Sequence, residues 1–167
     1  MKPVGYFGLS NDNTLIKDMT ETFGECLERI TPSDTFWLLA RIGADCFLEN
    51  PSDNPPTDEA EEVVNRLDEL TFDEKQQLIR ALCDQSHPVG YYSLDPNNSL
   101  IKDMIETWGE TLGRMDENDA DWLIGQIADV CWEELGDGAS EEIEEASDRL
   151  HELNYSEKTM LMSALVQ

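Results

Sequence analysis

Positive charge is what this chain has least of: 11 Lys and Arg stand against 37 Asp and Glu in 167 residues, a formal net charge of -26. A surface so charged repels phosphate backbones and anionic headgroups, which excludes direct nucleic-acid binding and attraction to an acidic membrane. Long apolar runs are missing as well. The longest, residues 36–48, is broken by Arg41 and Asp45 and is too short to span a bilayer. The opening Met1-Lys2-Pro3-Val4-Gly5-Tyr6 lacks the apolar core of a secretory signal. Cysteine is scarce: Cys26, Cys46, Cys83 and Cys131 form no C-x-x-C pair and no small secreted framework. Free, buried thiols in the reducing cytoplasm are the expectation.

Catalytic patterns are absent too. The chain has no G-x-S-x-G, no P-loop, no H-E-x-x-H and no G-x-G-x-x-G. The 2 histidines do not correspond between the halves of the chain. His87, beside Pro88, reads as a turn residue, and His151, on a polar helix, as a solvated one. Without a nucleophile, base and orienting group in view, neither an enzyme nor a cofactor is expected. A carboxylate pair in a closed pocket is the enzymatic route that needs no motif.

What is present is a core and a repeat. Hydrophobic residues make up 40% of the chain and include 4 Trp, so this is no disordered acidic tail. Pro3-Val4-Gly5-Tyr6-Phe7 returns as Pro88-Val89-Gly90-Tyr91-Tyr92, and Leu15-Ile16-Lys17-Asp18-Met19 returns unchanged as Leu100-Ile101-Lys102-Asp103-Met104. Glu21-Thr22-Phe23-Gly24-Glu25 answers Glu106-Thr107-Trp108-Gly109-Glu110, and Trp37, Cys46 and Phe47 answer Trp122, Cys131 and Trp132. The register is about 85 residues and slips by about two after the second helix, where a loop absorbs the difference. Duplication accounts for this, with a first helical repeat over 1–85 and a second over 86–167.

Each repeat reads as four helices, giving an all-α fold of two tandem units packed as one or two bundles. Leu15, Met19, Phe23, Cys26, Leu27 and Ile30 fall at helical spacing and predict a first helix over 14–30. Thr31-Pro32-Ser33-Asp34 supplies a stop, a proline for the next N-terminus and a capping pattern. The second helices, 36–48 and 122–132, are apolar almost all round and should be central. Residues 50–56 are proline-rich loop, shortened to Gly136-Asp137-Gly138 in the second copy. Val63, Val64, Leu67 and Leu70 mark one face of a third helix. Thr71 to Glu74 and Asn154 to Glu157 announce a fourth with capping boxes. Trp37, Trp108, Trp122 and Trp132 are expected in the core, and the Tyr6 and Tyr91 arms should staple each unit's start to its own helices.

Charge carries the functional reading. Lys17, Arg29, Arg66 and Lys75 match Lys102, Arg114, Arg149 and Lys158, and each is expected to offset carboxylates within its own unit; Lys2, Arg41 and Arg80 have no basic counterpart. Glu59, Glu61 and Glu62, and Glu141, Glu142, Glu144 and Glu145, open their helices where acids complement the helix dipole. A net charge of -26 far exceeds the magnitude of about 2–8 that keeps a small domain soluble. These seven glutamates are therefore the candidate partner-binding residues. Asp95, Asn97, Ser99, Asp103 and Glu106 imitate EF-hand spacing, but Leu100 stands where that loop needs glycine, and a helix N-cap is the competing reading.

At Ile30-Thr31-Pro32-Ser33-Asp34, the apolar second helix, and Leu67-Asp68-Glu69-Leu70-Thr71-Phe72-Asp73-Glu74-Lys75-Gln76-Gln77-Leu78, the chain resembles the helical N-terminal domain of the orange carotenoid protein family. The resemblance covers about half the chain and implies two related helical halves, a cyanobacterial source and association with light-harvesting complexes. Where that family places large aromatics toward its carotenoid, this chain has Ala40, Gly43, Gly125 and Ala128, which suit close helix packing. No ligand residue carries over.

The expected function is that of a non-enzymatic, cytoplasmic adaptor, inhibitor or regulator that engages a basic protein or the basic patch of a larger complex, including by mimicry of nucleic-acid charge. The alternative is a binder of calcium or of a small apolar, carotenoid-like ligand.

Overall fold

The structure, a computed structural model, describes residues 1–49 and 54–167. All regular structure among them is helical: α1 (Thr14–Phe23), α2 (Pro32–Glu49), α3 (Asp58–Asn65), α4 (Phe72–Asp84), α5 (Ser99–Trp108), α6 (Glu117–Leu135), α7 (Glu141–Asp148) and α8 (Tyr155–Leu165). Short 3-10 turns at Val4–Phe7 and Val89–Tyr92 precede α1 and α5, and others at Leu67–Glu69 and Leu150–Glu152 precede α4 and α8. The fold is all-α, and the second half repeats the element order of the first. Of the loop expected over 50–56, residues 50–53 lie outside the described residues, and 54–56 have no regular structure.

Side-chain caps set most helix starts. Asn13 and Asn98 accept from the backbone N–H groups of Ile16 and Ile101, and Thr57 and Ser140 do the same for Ala60 and Ile143. Thr71 with Glu74 and Asn154 with Glu157 form complete capping boxes. Pro32 occupies the first turn of α2, where its missing N–H loses nothing.

The first helix is shorter than the spacing implies. It ends at Phe23 because Gly24 adopts φ 97°, a conformation glycine enters without steric penalty. Leu27 then takes φ 58° in a turn and is still buried. Gly109 and Leu112 repeat the device after α5. The apolar spacing thus continues past the helix because the turn also points inward.

α2 and α6, the two longest helices, pack against each other at the centre of the molecule. Gly43 permits that approach: a Cβ there would lie 2.7 Å from the Gly125 backbone N and 2.9 Å from the Asp121 carbonyl. Around this pair the halves exchange helices. α7 and α8, from the second half, pack on α2, whereas α3 and α4, from the first, pack on α6.

Polar contacts follow the same exchange. Asp34 on α2 accepts from the backbone N–H (2.9 Å) and hydroxyl (2.6 Å) of Ser140, the N-cap of α7. Asp119 on α6 does the same for Thr57, the N-cap of α3, at 3.1 and 2.7 Å. Lys158 lies 2.7 Å from Glu49 and 3.3 Å from Asp45, and Lys75 lies 2.9 Å from Glu134. Arg149 reaches Asp18 at 2.7 Å, and Arg66 reaches Asp103 at 2.6 Å. Lys75 and Lys158 thus pair with acids of the opposite half, which corrects the expectation that each serves its own unit, while Arg66 and Arg149 bridge the halves, also holding Glu69 and Glu152 of their own unit. The tyrosine arms are corrected too. Val4 and Val89 are the buried anchors, their turns pack on α8 and α4 of the opposite half, and Tyr6 and Tyr91 stay exposed. Trp108 is buried as expected, while Trp37, Trp122 and Trp132 are half-buried against the core.

Gly43→Ala should lower the unfolding free energy by about 2 kcal/mol, overpacking outweighing the helix preference for alanine. Gly125→Ala, whose Cβ would meet its nearest atom at 3.3 Å, should change it by about 1 kcal/mol or less. Urea melts compare the two; equal effects would contradict the close crossing.

Candidate functional site

The first turns of α3 and α7 are dense in carboxylates, so the helix N-termini and the acids stabilise one another. Glu59, Glu61, Glu62, Glu141, Glu142, Glu144 and Glu145 are all exposed. Among the described residues the only ion pair they make is Glu62 with Arg66, at 3.9 Å.

The helix exchange sets each of these helices beside the first long helix of the other half, and a groove runs between them. In one groove Glu59 and Glu62 of α3 face Asp103 of α5 over a floor of Val63, Leu100, Met104 and Trp108. In the other, Glu142 and Glu145 of α7 face Asp18 and Glu21 of α1 over Leu15, Met19, Phe23 and Ala146. Apart from Glu21, the residues correspond position by position. Glu61, Glu141 and Glu144 line neither groove and stand on the outer surface of their helices.

Each groove already holds one guanidinium. Arg66 donates to Glu69 at 2.6 and 3.0 Å, to Asp103 at 2.6 Å and to Ser99 at 3.2 Å. Arg149 donates to Glu152 at 2.6 and 3.1 Å and to Asp18 at 2.7 Å. Hydrogen bonds from these arginines hold Glu69 and Glu152 below the usual carboxylate range. A planar fork bound by carboxylates from two elements is the geometry that arginine-rich surfaces offer. Asp18, Asp103 and the two arginines do not stand out in the sequence as groove residues, although the identical Leu-Ile-Lys-Asp-Met segments signal that Asp18 and Asp103 share one environment.

The other chemistry-bearing groups are arranged differently. Burial, with nearby carboxylates adding to it, pushes the thiols of Cys46, Cys83 and Cys131 up to about 12. They are protonated at neutral pH and are poor nucleophiles in that form. Asn98 caps α5, so the EF-hand-like segment is built as a helix N-terminus, with Ser99 and Asp103 inside the helix. Among the described residues no group of three or more His, Cys, Asp or Glu side chains is placed to hold a metal ion, and no helix is long and apolar enough to cross a membrane. His151 is exposed; His87 stacks on Tyr91 with ring centroids 4.0 Å apart.

One buried carboxylate breaks the correspondence between halves. Phe36 and Phe72 meet edge to face with centroids 5.5 Å apart, whereas their counterparts Asp121 and Tyr155 are joined by a 2.6 Å hydrogen bond. Comparison with family models, curated proteins and solved structures gives no match.

Asp121 is only 4% exposed. Burial raises its pKa from 3.8 to about 6; the charge of Glu117 adds to the rise, and the Tyr155 hydrogen bond opposes it. Between these values the folded chain keeps a proton that the unfolded chain has released. The group's favourable contribution is therefore full at low pH and is lost as pH climbs through about 6. Asp121→Asn should stabilise the protein more at pH 8 than at pH 4, by about 2 kcal/mol. Urea melts at the two pH values measure this, and an equal gain at both would contradict a buried, ionised Asp121.

Proposed function

We propose that this chain is a non-enzymatic interaction protein, an adaptor, inhibitor or regulator, whose α3 and α7 faces engage a basic protein surface. Duplication of one helical unit, inferred from the corresponding segments, would have provided the two faces. The observation that carries the reading is that the same row of glutamates occurs twice, exposed and almost free of internal cations. Each row borders a groove in which an arginine is already seated. A partner presenting arginines or lysines in a repeated or symmetric array would find two equivalent places to bind, as it does on the two strands of a nucleic acid. Exposed charges of this kind act mainly on the association rate and on partner choice. The net charge of -26 supplies a long-range field that draws such a partner in.

An apolar ligand between the halves, the reading favoured by the carotenoid-domain resemblance, has less support. The α2–α6 crossing is closed by the contact of Gly43 with Gly125.

In pull-downs from the source cell, basic proteins should be captured at about 0.1 M salt and released toward 1 M, as the Debye length shortens from about 10 Å to about 3 Å. A variant with Glu59, Glu62, Glu142 and Glu145 all changed to Lys should capture none of them while keeping its helical spectrum. Retention of the same partners at 1 M salt, or by this variant, would refute the electrostatic mode.

A further inference from the structure

A cleft of about 890 Å³ opens between the two 3-10 turns that begin the halves and helices α4 and α8. Corresponding residues of both halves line it: Lys2 with His87, Tyr6 with Tyr91, and Arg80 with Ser163. Its size lies within the range of about 300–1,000 Å³ typical of small-molecule sites. Unlike the helix-exchange contacts, which match in the two halves, two of these three pairs, Lys2 with His87 and Arg80 with Ser163, differ between the halves.

Aromatic faces are on offer here. Tyr6 is 63% and Tyr91 67% exposed, and these two are the only aromatic residues among the exposed large hydrophobic side chains of the described residues. The Lys2 ammonium sits 3.9 Å from the centre of the Tyr6 ring, and His87 lies flat on Tyr91. Both stacking surfaces therefore carry a basic group alongside.

Charge in the cleft runs against the rest of the molecule. Of the three cations with no Lys or Arg counterpart, Lys2 and Arg80 both line it. Neither makes an ion pair with a carboxylate among the described residues, in a chain with 37 acids to choose from. Arg80 is half-buried and fixed in place. Its Nε donates to the Val166 carbonyl at 2.7 Å and one terminal nitrogen to Gln77 at 3.3 Å, which leaves the other terminal nitrogen for a ligand. The carboxylate that lines the cleft, Asp84, is already engaged by the hydroxyls of Ser86, at 2.6 Å, and Tyr92.

We propose that this cleft binds a small planar aromatic phosphate, the ring stacking on Tyr91 and the phosphate meeting Arg80 and Lys2. A cationic ligand would face these two cations, and both tyrosines already have basic neighbours. A long polyanion would be turned away by the net charge of -26. A compact dianion can reach the local cations, and its ring contributes the stacking that offsets the unfavourable long-range field.

Adenosine 5′-monophosphate, adenosine and inorganic phosphate serve as probes of the whole chain, read by the ring NMR signals of its two histidines. The monophosphate should shift His87 saturably and leave His151 in place. Adenosine and phosphate should each bind at least about tenfold more weakly, as expected when one of two contacts is removed. Arg80→Ser, which installs the residue of the other half, should weaken the monophosphate about tenfold or more and leave adenosine unchanged. Lys2→Ala, on an exposed side chain, tests the same charge without disturbing the Val166 contact and should weaken the monophosphate while leaving adenosine unchanged. Tyr91→Ala should weaken monophosphate and adenosine together. No saturable shift of His87 at millimolar monophosphate would overturn the proposal. So would wild-type affinity in both Arg80→Ser and Lys2→Ala.

Discussion

The structure depends on one close approach, that of α2 and α6 at Gly43 and Gly125. Helices separated by ordinary side chains would stand farther apart, and the layer formed by α3, α4, α7 and α8 would lose its footing. With the two backbones in contact, each central helix packs mainly on helices of the opposite half, α2 on α6, α7 and α8, and α6 on α2, α3 and α4. The buried carboxylates at the α2 and α6 N-termini, Asp34 and Asp119, then cap α7 and α3 across that boundary. Burying a carboxylate is unfavourable unless its oxygens are satisfied. Each receives a backbone N–H and a hydroxyl, so the cap that starts one helix also neutralises the desolvation of the other.

Much of the helical pattern is legible in the sequence because it is local. The capping boxes at Thr71 and Asn154, Pro32 at the start of α2 and the apolar centres of α2 and α6 all state their roles within a few residues. The end of α1 is not legible from periodicity, because Leu27 reaches the core from a left-handed turn at the same spacing it would have on a helix. The helix exchange is hidden for a deeper reason. Asp18 and Asp103 sit in identical Leu-Ile-Lys-Asp-Met segments, so Arg66 is equally complementary to either. The same ambiguity holds for Arg149. Only the path of the connecting chain selects between them, and pairing rules read from sequence are blind to that path.

The candidate site divides in the same way. The glutamates of α3 and α7 stand out by composition, but their partners across the grooves come from α5 and α1 and become visible only once the halves interlock. Matched features lie in the exchanged layer: Asp34 with Asp119, Arg66 with Arg149, Lys75 with Lys158. Divergent ones lie elsewhere: Asp121 and Tyr155 stand where the first half has Phe36 and Phe72, and Ser163 stands where it has Arg80.

Interlocking makes each half incomplete by itself, because α2 without α7 and α8, and α6 without α3 and α4, expose their most apolar faces. The most direct measurement is to produce residues 1–85 and 86–167 separately and follow helicity and mass by circular dichroism and analytical ultracentrifugation, alone and mixed. Neither half should be a folded monomer, each being unfolded or paired with a copy of itself, and mixing should give a helical 1:1 complex. Two stably folded monomeric halves that ignore one another would contradict the exchanged architecture and the paired acidic grooves built on it.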